Sequence, residues 1–423
     1  MNRFCLVICL VAALPGSCTR TPEPAPVRSP FRNVVLISID TLRPDRLGCY
    51  GGAPTPTLDA IARAGAIFRV AVTPAPSTRA AHASVLTGVY PCVHGVSDDP
   101  ATRLPVRVMP LAEILRGQGY MTAAVTEGGE LDEDTFGLGF ESFAVNAGGT
   151  LDLPAGRVED GVAAARAWLT RHADGPFFLF LHTYQPHAPY TPPAPYGDAQ
   201  GTDADRYAGE VRYTDAALGP LFTALDTDQL RDHTILVVTS DHGEAFGEHQ
   251  HQGHGELYDE DIRVPFLWWA PGLIPAGRQI NVVAGGVDIA PTVLALLGIP
   301  IPPWMQGRDL RAALFEDPPR VAGTMNMVWT ELPARRAVSR RIAVRGIDWK
   351  GLFSWPYAHG GKVFVNVFKY DPHEEHPQDV IYGDRVSWIP PLDASCRKSA
   401  DMLERTTLAG TVGTDGDPAN SAP

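Results

Sequence analysis

Three short apolar runs each end in a residue able to bind a metal or carry a proton. Val34-Val35-Leu36-Ile37-Ser38-Ile39 leads into Asp40, Phe177-Phe178-Leu179-Phe180-Leu181 into His182, and Ile235-Leu236-Val237-Val238-Thr239-Ser240 into Asp241-His242. Runs without polar alternation are expected for strands buried on both faces of a parallel sheet. Open α/β sheets gather their ligands at the carboxyl edge of such strands, so Asp40, Asp241 and His242 are expected to converge. An Asp-His pair alone fits a structural hydrogen-bonded pair equally well. Asp40 tips the balance, because two carboxylates at one buried edge repel unless a cation lies between them.

Thr78 is the next candidate, in Ser77-Thr78-Arg79-Ala80-Ala81-His82 at the expected start of an alanine-rich helix over 79–86. Serine and threonine at such places are usually N-caps. A hydroxyl there, beside a divalent cation, is also placed to lose its proton, and the free N–H groups can bind a tetrahedral anion. Ser77 and Thr78 both meet this description.

The elements that must hold these residues alternate. Helices are expected over 57–65, 79–86, 111–119 and 158–172, with a strand over 121–125. That is βαβ alternation, hence an α/β fold with a mostly parallel central sheet and helices on both faces. After the proline-rich stretch 302–319, short strands over 341–345, 351–355 and 362–369 and a helix over 392–405 suggest a small C-terminal antiparallel sheet subdomain. The expected organisation is a catalytic domain over 32–310, the subdomain over 320–408 and a small, polar tail over 410–423 expected to be disordered.

The chain has 423 residues, 44% of them apolar and 20% charged, with a net charge of −13. This argues against nucleic acid or an anionic membrane surface as the main partner. An acidic enzyme that binds an anion must make its site locally positive, which again points to a metal. Met1-Asn2-Arg3, the apolar stretch 4–14 and Pro15-Gly16-Ser17-Cys18 have the layout of a secretory signal peptide over 1–18, too short for a membrane span. Small residues before Cys18 suggest lipoprotein processing with a lipid on that cysteine, simple export being the other reading. Residues 19–31 read as a proline-rich tether, so the protein is expected to be periplasmic or membrane-anchored in a bacterium. Cys49, Cys92 and Cys396 then remain; they form no disulfide framework, and a Cys49–Cys92 bridge and buried thiols both fit.

The chain resembles the sulfatase family of the alkaline phosphatase superfamily. The likeness lies in Ile39-Asp40-Thr41-Leu42-Arg43-Pro44-Asp45-Arg46-Leu47-Gly48-Cys49-Tyr50-Gly51, in Thr78 to Gly88 followed by Tyr90-Pro91 and His94-Gly95, in Pro186-His187-Ala188-Pro189-Tyr190, in Asp241-His242-Gly243-Glu244, and in His254-Gly255-Glu256 with Arg263-Val264-Pro265. It covers 33–310, and Tyr370-Asp371-Pro372-His373-Glu374 resembles the family's closing element. The resemblance implies metal ligation by Asp40, Thr78, Asp241 and His242. His187 matches the histidine near the leaving group, with His182 as the alternative acid or substrate contact, and His254 matches a family residue that touches the bound anion. His249 and His251 read as surface or gate residues.

The departures are specific. Thr78 falls where sulfatases carry the cysteine oxidised to formylglycine, and His82 where they carry an arginine, so no formylglycine is expected. Thr41 replaces the second of two paired aspartates, His242 replaces an asparagine, and the expected Lys and His are not evident in Thr126-Glu127-Gly128-Gly129-Glu130. Fewer carboxylates and an imidazole make manganese or zinc more suitable than calcium, with magnesium open. One divalent ion is expected, since no second-metal set of the alkaline phosphatase kind is apparent. The implied activity is metal-dependent hydrolysis of a small-molecule, glycan or lipid sulfate or phosphate ester by a threonine nucleophile, with Thr78, His187, His82 and His254 as the catalytic set. The alternatives are a phosphoethanolamine- or phosphoglycerol-type transferase, in which an alcohol replaces water, and a non-catalytic anion-binding surface lipoprotein.

Overall fold

The computed structural model describes residues 31–128, 130–146, 156–197, 200–316, 326–331, 339–347, 349–356, 363–369 and 379–383. The expected signal peptide, most of the tether, the 392–405 helix, the 370–374 motif and the tail lie outside these residues.

The main sheet is built from β1 (Asn33–Ile39), β2 (Ala66–Val72), β3 (Met121–Glu127), β4 (Ser142–Asn146), β5 (Phe177–Thr183) and β6 (Thr234–Thr239). A small hairpin of β7 (Ala245–Phe246) and β8 (Gln252–Gly253) follows, and β9 (Phe266–Trp269) and β10 (Arg278–Gly285) complete the main sheet. Its order is β10-β2-β9-β6-β1-β5-β3-β4. Every neighbouring pair is parallel except those of β9, which runs antiparallel to β6 and β2. The mostly parallel α/β sheet expected from the sequence is therefore the architecture found.

The unbroken apolar runs have a direct cause. The longer helices are α1 (Pro56–Ala64), α2 (Thr78–Thr87), α3 (Leu111–Gly117), α4 (Val158–His172), α5 (Asp203–Leu225) and α6 (Ile289–Leu296). Val34, Leu36, Phe178, Phe180, Ile235 and Val237 pack with α2, α3 and α6 on one face, whereas Val35, Ile37, Phe177, Leu179, Leu236 and Val238 pack with α1, α4 and α5 on the other. Each strand is coated on both sides, so both residue parities must be apolar. Ser38 and His182 carry the α2-facing parity to the end of their strands, where they are paired in register.

Helix α5 has no counterpart among the sequence expectations, although it is the longest helix described, at 23 residues. Pro220 within it and its mixed polarity hide its periodicity. The legible signal is the capping box: Thr202 accepts from the Asp205 N–H, while Asp205 accepts from the Thr202 N–H at 2.9 Å.

A second sheet of five antiparallel strands comprises β11 (Asn326–Glu331), β12 (Ser339–Arg345), β13 (Trp349–Pro356), β14 (Val363–Lys369) and β15 (Asp379–Gly383). Three of these were expected, and β11 and β15 extend the sheet at its two edges. The buried Lys350 ammonium donates to the Leu257 carbonyl at 2.8 Å, and Ala343 packs with Val72, Leu257 and Ile262. Cys49 is a free thiol and Cys92 is disulfide-bonded, so the Cys49–Cys92 bridge does not form.

Candidate active site

β1 delivers Asp40 and β6 delivers Asp241 and His242 to one buried point. His242 Nε2 lies 3.5 Å from Asp241 Oδ2 and 3.9 Å from Asp40 Oδ1. Ligand atoms of the three residues all fall within 4.8 Å of one another. The loops that set this geometry are tied together. Thr41 has a left-handed φ of 53°, costly for a β-branched residue, and its N–H donates to Asp241 Oδ1 at 3.2 Å. Ser240 Oγ accepts from the Leu42 N–H at 2.9 Å and donates to the His242 carbonyl at 2.6 Å. From α5, the Tyr207 hydroxyl donates to the Thr41 carbonyl at 2.7 Å and accepts from the Arg43 N–H at 3.0 Å.

The electrostatics call for a cation. Burial, and then the Asp241 charge, hold the Asp40 carboxyl well above the usual range. Burial also works against ionisation of Asp241, but His242, His82 and His182 outweigh it and hold that carboxyl low. Asp40 Oδ1 and Asp241 Oδ2 have no hydrogen-bond partner. Burial pushes His242 down to about 4, so its ring is neutral. Nδ1 donates to the Gly243 carbonyl at 3.0 Å, which turns the Nε2 lone pair toward the carboxylates. Two unpaired carboxylate oxygens and a neutral imidazole nitrogen fit a divalent ion.

Thr78 is the first helical residue of α2, not its cap. Ser77 occupies the cap position, makes no capping bond and gives its hydroxyl to Asp98. This separates the two candidates: Thr78 Oγ1 lies 3.2 Å from His242 Nε2, a separation suited to two ligands of one ion. A cavity of about 590 Å³ opens onto Thr78 and His254, with Arg79, Arg103, Asp98 and Glu130 in its wall.

The histidines divide by depth. The His254 ring stands 4.1 Å from that of His242 and 5.4 Å from that of His187. Burial works against its charge, yet the Glu244 hydrogen bond and charge, with Asp40 and Asp241, raise it to about 9. His187 places Nδ1 2.7 Å from the Ala188 carbonyl, and its ring packs on Tyr184. His82 and His182 are buried behind the carboxylates. His82 Nε2 is 2.9 Å from Ser38 Oγ, its Nδ1 is 2.7 Å from the Thr78 carbonyl, and His182 Nε2 is 3.5 Å from Asp40 Oδ2. His249 and His251, expected at the surface or as a gate, are largely covered: His249 stacks on Tyr258 and pairs with Glu260 at 2.6 Å, and His251 lies 3.4 Å from Asp261.

Several contributors were not singled out from sequence. Arg43 donates to the Glu244 carbonyl at 2.9 Å and to Glu248 at 2.8 Å, clamping the β1 exit to the loop that bears Glu244. Tyr190 donates to Glu244 Oε2 at 2.9 Å. Glu127, in the segment where a lysine was expected, is buried at the end of β3 and accepts from the Tyr184 N–H at 3.0 Å; burial raises it to about 8. The signal for these was charge or phenol beside the ligand motifs, which gives proximity but no partner.

Comparison with known proteins identifies the family of the chain. The Sulfatase family matches residues 32–299, and the N-sulphoglucosamine sulphohydrolase C-terminal family matches residues 247–385. An ulvan-active sulfatase of Formosa agariphila is 29% identical over 355 residues, covering 71% of this chain and 68% of its own length. A structure in complex with its substrate D-glucosamine-2-N,6-O-disulfate superposes with a TM-score of 0.71 at 19% identity, covering 89% of this chain and 98% of the other. The phosphonate monoester hydrolase of Agrobacterium radiobacter superposes with a TM-score of 0.67 at 20% identity, covering 88% and 96%.

Proposed function

Since the chain belongs to the sulfatase family, whose reaction class is hydrolysis of sulfuric and related phosphoric esters, we propose that it cleaves such an ester with Thr78 as nucleophile and without formylglycine. The observation that carries this is the placement of Thr78 Oγ1 3.2 Å from His242 Nε2, on the rim of the cavity and beside the unpaired oxygens of Asp40 and Asp241.

Asp40, Thr78, Asp241 and His242 would hold a divalent ion, which neutralises ester oxygens and lowers the pKa of a bound hydroxyl. Manganese or zinc suits the set better than calcium, with magnesium open. Thr78 Oγ1 forms a bond to sulfur or phosphorus as the ester oxygen departs, and its proton passes to solvent. The N–H groups in the first turn of α2 face the anion, and His254, held charged by Glu244, adds a cation beside it. His187 gives a proton to the departing oxygen. Water then breaks the bond from Thr78 to sulfur or phosphorus, releasing sulfate or phosphate and restoring the hydroxyl. A threonine adduct lacks the second hydroxyl through which a formylglycine adduct eliminates sulfate, so it must be opened at the central atom, which favours phosphoryl substrates. A small or glycan ester is the substrate class that the relatives' names support, and export with a lipid on Cys18 belongs to the same proposal. No described helix is long and apolar enough to cross a membrane.

The test is metal-dependent turnover of matched aryl sulfate, aryl phosphate and phosphodiester substrates, with Thr78→Ala alongside. Turnover lost by at least a thousandfold in Thr78→Ala is expected for the loss of a nucleophile. Undiminished turnover in Thr78→Ala would refute it.

A further inference from the structure

His182 is about 1% exposed, and neither ring nitrogen makes a hydrogen bond of good geometry, the Glu127 backbone being only a weak polar neighbour. A buried imidazole so weakly partnered is costly to keep, and the mechanism above does not use it. Its surroundings are those of a ligand. Its ring meets that of His82 edge to face, with centroids 4.8 Å apart, and Nε2 points to Asp40 at 3.5 Å. His82 Nδ1 lies 3.8 Å from Asp241 Oδ2, which has no hydrogen-bond partner. Ligand atoms of His82, His182 and Asp241 all fall within 4.8 Å of one another, a second group beside that of Asp40, Asp241 and His242.

We propose that His82, His182 and Asp241 bind a second divalent cation, with the Asp241 carboxylate bridging it to the first. Ligand atoms around a tetrahedral ion at about 2.0–2.2 Å stand roughly 3.3–3.6 Å apart, so the 3.8 Å separation must contract as the ion binds. Ser38 supplies the outer support. In the structure His82 Nδ1 donates to the Thr78 carbonyl at 2.7 Å, so ion binding requires the proton to move to Nε2, 2.9 Å from Ser38 Oγ, and the ring to turn away from that carbonyl. Two imidazoles and one carboxylate select a borderline ion such as zinc or manganese over calcium. Carboxylate-bridged pairs lie about 3.5–4 Å apart.

The experiment uses the whole protein, stripped with chelator and reloaded with Mn²⁺ alone. Bound manganese is counted by mass spectrometry, and exchange coupling is read by electron paramagnetic resonance. Two equivalents with a coupled signal are expected in the wild type, and one equivalent with an isolated six-line signal in both His182→Ala and His82→Gln. Asp40→Ala should also fall to one equivalent but keep the ion on the histidines. If His182→Ala misfolds by circular dichroism, His82→Gln and His182→Asn decide. A single equivalent in the wild type, unchanged in the histidine variants, overturns the second ion and leaves the Thr78 mechanism standing. No manganese in any form overturns both.

Discussion

Glu127→Gln tests whether the carboxyl at the buried end of β3 is protonated in the folded protein. Glu127 is almost fully buried, accepts from the Tyr184 N–H, and is pushed up to about 8 chiefly by burial, with Glu159 and Asp160 adding to the shift. The folded protein therefore keeps this carboxyl protonated to about pH 8, whereas the unfolded chain loses the proton near the usual 4.5. Between those values the folded state binds more protons, so stability is full below the unfolded pKa and is lost as pH rises through the folded one. At about 1.36 kcal/mol per unit, the full shift corresponds to roughly 5 kcal/mol; relaxation around an ionised carboxylate reduces this to about 2–3 kcal/mol. Glutamine keeps the acceptor and removes the titration. Glu127→Gln should match the wild type at pH 5 and exceed it at pH 9, by about 3 °C in Tm for a protein of this size. Thermal unfolding followed by fluorescence at pH 5, 7 and 9 reads the difference directly. A gap that is constant with pH, or largest at pH 5, would refute the protonated-carboxyl assignment.

Two further outcomes concern the site's frame and its acid. Ser240→Ala leaves the Leu42 N–H and the His242 carbonyl without their bonds, so about 1–3 kcal/mol of stability should go together with weaker manganese binding by titration; unchanged affinity would detach Ser240 from the ligand geometry. His187→Gln should slow esters with a poor alkoxide leaving group by about 10²–10⁴-fold, and nitrophenyl esters far less; equal losses on the two substrates would remove the acid role.

The centre of this site was legible because its signals are local and periodic. Asp40 and Asp241-His242 announce themselves at the ends of apolar runs, and the two-sided coating of β1, β5 and β6 follows from the same runs. What was not legible depends on contacts across large sequence separations. Tyr207 reaches Thr41 over 166 positions, and α5, which carries it, looks irregular because of Pro220. The choice between Ser77 and Thr78 was undecidable by type, since both are hydroxyls at a helix start; Asp98, which draws Ser77 away, makes the distinction. His182 was visible as a strand-end histidine, but its place beside His82 and Asp241 exists only in three dimensions.

The departures from the family's pattern make sense as one change. Relative to a sulfatase with two adjacent first-strand aspartates and an arginine four residues after the cysteine, this chain loses one negative charge at Thr41 and one positive charge at His82. These two losses offset each other, while the lysine not evident in the segment 126–130 removes a further positive charge. Thr41 keeps a hold on Asp241 through its N–H, made possible by the 53° φ. Burial holds His82 and His242 down to about 4, so both rings enter as neutral donors and not as substitute cations. The demand for a divalent ion is unchanged, since two carboxylates still share one dry edge, while the donors have shifted from oxygen toward nitrogen. A guanidinium in place of His82 would deny His182 and Asp241 a cation of their own. On the proposed two-ion reading, loss of that arginine opens the inner position, and a Thr78 nucleophile, which needs an ionised hydroxyl at neutral pH, would gain from the nitrogen-rich edge beneath it.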